Sequence, residues 1–231
     1  MMKITATTLG ETGGDWLSMT MNMGYLYSTL IFSTVFVAAL ATQLASAKYF
    51  PPLYWTVIIA TSTAGTTMSD FMDRSLQLGY AKGSAILIAL LLVMLGLWRS
   101  SCGTLNVNSI RSRKAEAFYW VTILFSNTLG TALGDFLSED SGLGFLGSWL
   151  LISSALLLIL GLTYLTKVSR VLLFWVAFIL TRPFGATFGD VLTKAKEQNG
   201  LDLGRGYSSL ILLTILVFSL ILSARRQERP S

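Results

Sequence analysis

Four stretches of this sequence align without gaps: ATTLGETGGDWL at 6–17, TSTAGTTMSDFM at 61–72, SNTLGTALGDFL at 126–137 and TRPFGATFGDVL at 181–192. Taking the first shared glycine as reference (Gly10, Gly65, Gly130, Gly185), an aspartate follows five residues later in every copy: Asp15, Asp70, Asp135 and Asp190. A small residue stands four after the reference: Gly14, Ser69, Gly134 and Gly189. Ten residues before it, three copies carry a tryptophan, Trp55, Trp120 and Trp175, each preceded by Tyr54, Tyr119 or Phe174. A further glycine follows each aspartate, nine residues on in the first three copies (Gly24, Gly79, Gly144) and fourteen on in the fourth (Gly204), which marks a five-residue insertion. Self-similarity at a fixed period means one supersecondary unit repeated, each burying its apolar face against its neighbours.

The units lie in an unusually apolar chain. Of 231 residues, 53% are hydrophobic and 13% charged, and mean hydropathy is +0.63. A soluble domain carries about 25% charged residues, so composition excludes a soluble enzyme, a disordered chain and a nucleic-acid reader. The net charge of +5 comes from basic residues that cluster at the ends of apolar segments. Cys102 is alone and histidine is absent. That rules out an internal disulfide, and zinc, copper, haem and iron–sulfur centres lack the imidazole or thiolate ligands they require. No cofactor is expected.

Seven apolar stretches, at 24–47, 52–69, 81–98, 117–134, 143–166, 171–189 and 207–224, have the roughly 18–24 residues needed to cross a ~30 Å hydrocarbon core. Each unit therefore reads as a first helix, the motif, a glycine-containing connection and a second helix. Two crossings per unit give every unit the same orientation, so the repeats are parallel rather than inverted. The first unit is short: about nine residues before Gly10 make only ~14 Å of helix. Translation is expected to begin upstream of Met1; otherwise the chain keeps half a helix whose amino end reaches water. Residues 1–16 lack the apolar core and small-residue cleavage site of a signal peptide. The predicted fold is an all-α polytopic bundle of four parallel two-helix repeats, with seven full transmembrane helices and a truncated first one. It forms one transmembrane domain, 1–231, with repeats about 1–49, 50–114, 115–168 and 169–231.

On these motifs the chain resembles a family of bacterial integral membrane proteins of unknown function, built from four tandem repeats that each hold two transmembrane segments and a tryptophan. The resemblance covers nearly the whole chain and departs at the first unit, which lacks its tryptophan. It implies a bacterial inner-membrane location and supplies no activity.

Ten basic residues flank the connections between units and five lie on those inside units. The positive-inside rule places the former, and the C-terminus, in the cytoplasm and the aspartate motifs near the outer face. Ten of twelve acids lie on the motif side, which suggests an acidic outer mouth or simply a solvated surface.

Residues four apart share a helix face. Gly10, Gly14, Gly65, Ser69, Gly130, Gly134, Gly185 and Gly189 thus form small stripes suited to close helix packing in lipid. A neighbouring stripe carries Thr63, Thr66 and Asp70 in the second unit and Thr128, Thr131 and Asp135 in the third, with Glu11 and Asp15 in the first and Asp190 in the fourth. A charge deep in a bilayer costs at least ~2.5–3.5 kcal/mol and must face a bundle interior or water. The aspartates either cap neighbouring backbone or converge around a cation or shared protons. Arg182 stands where the other units have Thr7, Ser62 and Asn127, and its expected partners are Glu11, Asp15 or Asp135. Pro183 beside it is expected to kink or open the helix, and Asn127 needs a polar partner. The three tryptophans read as packing or interface anchors.

These features point to a transporter or channel for a hard cation or a cationic or polar solute, using oxygen ligands. A non-transporting scaffold, sensor or accessory subunit is the alternative. No Ser-His set, metal-ligand set or nucleotide motif supports an enzyme, and four copies of one aspartate argue against a two-aspartate dyad. The expected partners are the bilayer and a small cation or polar solute, not nucleic acid; oligomerisation is left open.

Overall fold

The computed structural model describes residues 2–46, 50–107, 110 and 112–227, with side chains placed through Leu222. Eight α-helices follow one another: α1 (Met2–Asp15), α2 (Tyr25–Ala45), α3 (Pro51–Asp70), α4 (Tyr80–Cys102), α5 (Arg113–Asp135), α6 (Gly144–Leu165), α7 (Arg170–Thr193) and α8 (Arg205–Gln227). The described residues hold no strand.

Local chemistry sets the boundaries. Pro51 opens α3 with its fixed φ. Ser112 and Ser169 cap α5 and α7, accepting from the N–H groups of Ala115 and Leu172. At the far end of α1, α3 and α5 the helix widens into one five-residue π turn: Trp16–Thr20, Phe71–Ser75 and Phe136–Asp140. The chain then reverses, and Gly24 and Gly79 take φ of 76° and 71°, a left-handed conformation only glycine adopts freely. The fourth unit differs where the insertion falls. There α7 ends without a π turn, and a 3₁₀ turn at Lys196–Gln198, with Asn199 and Asp202 at positive φ, takes up the extra residues.

The first helices of the four units, α1, α3, α5 and α7, form a closed ring in which each touches the next and α7 touches α1. The second helices lie outside it, α2 on α3, α4 on α5, α6 on α7 and α8 on α1, so each unit's outer helix packs on the following unit's inner one. Two hydroxyl contacts pin this layer: Thr29 donates to the Thr67 carbonyl (2.7 Å) and Ser209 to the Thr12 hydroxyl (2.8 Å).

Glycine governs the ring spacing. A Cβ built on Gly10 would stand 2.6 Å from Cβ of Ser62; on Gly65, 2.8 Å from that of Asn127; on Gly130, 2.5 Å from that of Arg182; on Gly185, 2.8 Å from that of Thr7. Each reference glycine thus receives the residue three before the next unit's reference glycine, and the rule closes cyclically. The next turn repeats it, Gly14 facing Thr66, Gly134 facing Ala186 and Gly189 facing Glu11.

Five helices, α2, α4, α6, α7 and α8, are long and apolar enough to cross a membrane. Outer-helix leucines such as Leu92, Leu157 and Leu158 are 63–67% exposed, an apolar surface that water does not tolerate at this extent and a bilayer does. This is a multi-pass membrane architecture. The helices α3 and α5 are also full length but carry a polar stripe that lowers their hydropathy, because that stripe faces the ring interior rather than lipid. Pro183 does not open its helix: α7 is continuous from Arg170 to Thr193. Its ring carbon sits against Gly130, where the missing side chain leaves room.

Candidate functional site

The axial stripe follows from four-residue spacing. From α3 into its π turn it reads Ser62, Thr66, Asp70, Arg74; from α5 into its π turn, Asn127, Thr131, Asp135, Glu139; from α7 to the residue that ends it, Arg182, Ala186, Asp190, Lys194; from α1 into its π turn, Thr7, Glu11, Asp15, Met19. At ~1.5 Å per residue the layers stand ~6 Å apart.

Arg182 occupies the centre. Its side chain is 1% exposed, and it reaches all three other ring helices: Nη1 donates to the Thr7 carbonyl (2.8 Å), while Nη2 contacts the Ser62 carbonyl (3.1 Å), Thr131 Oγ1 (3.0 Å), Thr66 Oγ1 and Glu11 Oε2 (3.2 Å). Only a group on the axis can do this. Of the partners expected for it, Glu11 is the one it meets. Glu11 Oε2 also accepts from Thr66 (3.0 Å) and Thr131 (3.1 Å). The two hydroxyls accept from the guanidinium and donate to the carboxylate, which makes a closed polar plug linking all four helices.

One layer outward lie the four aspartates, each at most 5% exposed. Asp15, Asp70 and Asp135 precede their π turns without a side-chain cap bond. Each of the four meets a cation. Asp70 pairs with Arg74 Nε (3.2 Å), Asp135 with Arg74 Nη2 (3.6 Å), Asp190 with Lys194 (3.5 Å) and Asp15 with Arg205 (3.4 Å). Arg74 and Lys194 also meet Glu139 at one carboxylate oxygen (3.3 and 4.0 Å), and Tyr80 donates to the other (2.8 Å). A chain of charges therefore spans the second, third and fourth units above the aspartate layer. Burial works to lower the Arg74 and Lys194 cations, but the facing carboxylates outweigh it and hold both above their ordinary range. In the turn after α3, burial pushes the Asp73 carboxyl up to about 6 despite the Ser69 hydroxyl that donates to it (3.2 Å).

Two predicted residues fall outside the site. Thr63 and Thr128 each donate to a carbonyl one turn back in their own helix, Ile59 and Leu124 (both 2.9 Å), because the axis selects positions four apart and leaves these a step aside. Asn127 is 4% exposed, with its Cβ beside Gly65, in the layer of Arg182. Three cations that the sequence alone shows only as loop charges, Arg74, Lys194 and Arg205, also line the site. The first two stand four residues after Asp70 and Asp190, as Glu139 does after Asp135, and that spacing was the available signal. Among the described residues no three ligating side chains gather as a metal site.

At the opposite end the axis is largely apolar, with Lys3 the exception: its ammonium donates to the Phe178 carbonyl (3.1 Å) over that residue's ring. Ile58 and Ile123 are buried in one cluster with Trp120, and Phe178 packs on it. Tyr54 and Tyr119 approach at their hydroxyls (3.4 Å). Of the three repeated tryptophans, Trp120 and Trp175 are at most 5% exposed and pack in the interior, while Trp55 is half-buried; Trp175 donates to the Leu105 carbonyl (3.1 Å).

Fold and site together define a helical membrane protein of four internal repeats around a charged axis. The chain matches the family described as Repeat of Unknown Function (DUF347) four times over, at 1–49, 53–104, 118–169 and 173–229, and belongs to it. Comparison with curated proteins and with solved structures found no match.

Proposed function

We propose that the protein is a small transporter or channel for a hard cation or a cationic solute, with its pathway along the ring axis and shut by the Arg182–Glu11 plug. Seven full helices and the shorter α1 stand in a bacterial inner membrane in four parallel units, with the C-terminus cytoplasmic and the aspartate layer toward the outside.

One observation carries the reading. Five buried carboxylates, Glu11, Asp15, Asp70, Asp135 and Asp190, with the exposed Glu139 beside them, face four cations, Arg74, Arg182, Lys194 and Arg205. From the Arg182 layer outward the buried carboxylates exceed the cations by one; Lys3, a layer beyond Arg182, donates to the Phe178 carbonyl instead (3.1 Å). In a low-dielectric interior that excess of negative charge must be met by protons or a bound cation, and a site that takes up cations from one face is what a cation carrier needs. The hydroxyls of Thr66 and Thr131 and the carboxylates supply oxygen ligands suited to hard ions. The contrary reading, a scaffold without transport, draws support from the plug itself: Arg182 is held from every side, as a structural cross-brace would be.

Flux in proteoliposomes across a panel of H⁺, Na⁺, K⁺, Mg²⁺, Mn²⁺ and small cationic amines separates them. At least one panel member should enter faster than in empty liposomes, and Asp135→Asn and Asp190→Asn should abolish that entry while the protein stays folded. No flux above background for any member would leave the scaffold.

A further inference from the structure

At the apolar end of the ring, a cavity of about 290 Å³ opens between the loop at Leu105–Val107 and the start of α7, where Arg170, Val171 and Phe174 line it. A groove of about 330 Å³ runs on from it between α6 and α7, walled by Leu156, Ile159, Leu160, Leu173 and Ala177. Arg170 and Phe174 border both, so the two spaces meet at one guanidinium. Arg170 is exposed and, among the described residues, no carboxylate lies within ion-pair distance of it. It is the first residue of α7, where the helix dipole adds partial positive charge. The aligned positions in the second and third units hold Phe50 and Ala115, so the arginine belongs to the fourth unit, although Lys114 lines the corresponding spaces beside α5 in the third.

We infer that this groove holds one anionic phospholipid, with an acyl chain against α6 and α7 and the phosphate on Arg170. The two parts together fit that ligand. The lower space is apolar, faces the hydrocarbon that surrounds the outer helices, and runs along α6 and α7, which are long and apolar enough to span the membrane. The upper one supplies a forked donor matched to phosphate oxygens, at the end of the molecule where headgroups lie. A zwitterionic lipid would fill the groove equally but would carry its own cation to the guanidinium, so the charge of the headgroup decides occupancy.

Native mass spectrometry of the full chain, released from micelles holding equal amounts of phosphatidylglycerol and phosphatidylcholine with the same acyl chains, tests this. The wild type should retain about tenfold more phosphatidylglycerol, the preference one charge-assisted contact confers. Arg170→Gln should bring the two lipids level, and Ala177→Trp, which fills the groove, should remove both. Equal retention of the two lipids by the wild type would overturn the assignment, as would a preference that survives both substitutions. Displacement of phosphatidylglycerol by inorganic phosphate alone would also overturn it, because the site would then recognise free phosphate rather than lipid.

Discussion

Gly130 and Gly96 are both glycines inside long helices, yet they should answer oppositely to one methyl group. A Cβ at Gly130 would fall 2.5 Å from Cβ of Arg182 and 3.0 Å from Cδ of Pro183, whereas nothing lies within 4 Å of one at Gly96. Arg182 cannot withdraw, since its guanidinium is tied to three other helices. Gly130→Ala should therefore destabilise by roughly 1–3 kcal/mol, the cost of overpacking. Gly96→Ala should be neutral or add about 0.5–1 kcal/mol through helix propensity. Thermal unfolding in one detergent reads both; equal midpoints for the two variants would refute the packing account. The sequence alone made Gly130 a small residue in a repeated stripe. It did not reveal that an arginine lies across it, because the partner is set by which helix comes next in the ring.

The helix-to-helix turns of each unit carry their own chemistry. The first three units share a π turn, and its inner position is held by Ser18, Asp73 and Ser138. Ser18 donates back to the Gly14 carbonyl (2.9 Å), closing the turn without charge. Asp73 cannot donate when ionised; it accepts from Ser69 and lies against Gly83 of α4, which has no side chain to displace it. Its carboxyl titrates at about 6 in the fold against an ordinary 3.8. An acid whose folded value is raised binds more protons in the native state between those limits. Its stabilisation is complete below about pH 4 and is lost as pH rises toward 6. Melting temperatures taken from pH 4 to pH 8 for the wild type and Asp73→Asn should thus diverge across that window and run parallel above it. Parallel curves throughout would contradict the buried environment assigned to this turn. The eight helices, their order and the insertion in the fourth unit were legible in hydropathy and glycine spacing. The π turns were not, since one extra residue per turn leaves no compositional mark.

For the whole molecule, the ring closes because the rule that seats one unit on the next also seats the fourth on the first: Gly185 receives Thr7 as Gly10 receives Ser62. Fourfold regularity alone would leave four like residues facing one another at each level. Among the places where the sequence departs from it, two carry opposite charges that complement each other, Glu11 in the first unit and Arg182 in the fourth. Arg182 announced itself as an intramembrane charge in need of a partner, and Glu11 was among those expected. Their meeting on the axis through Thr66 and Thr131 required the closed geometry, which no linear spacing discloses. The same holds for Arg205, which reaches Asp15 across 190 residues only because α8 packs on α1.

The central claim is that this pair joins the first and last units at the ring axis, and a double-mutant cycle of Arg182→Gln and Glu11→Gln tests it most directly. Each single change strands a buried charge and should cost roughly 3–5 kcal/mol in unfolding free energy, while the double variant should lose much less than the sum. Losses that simply add, to within about 0.5 kcal/mol, would mean that the two side chains do not meet and that the ring has no such centre.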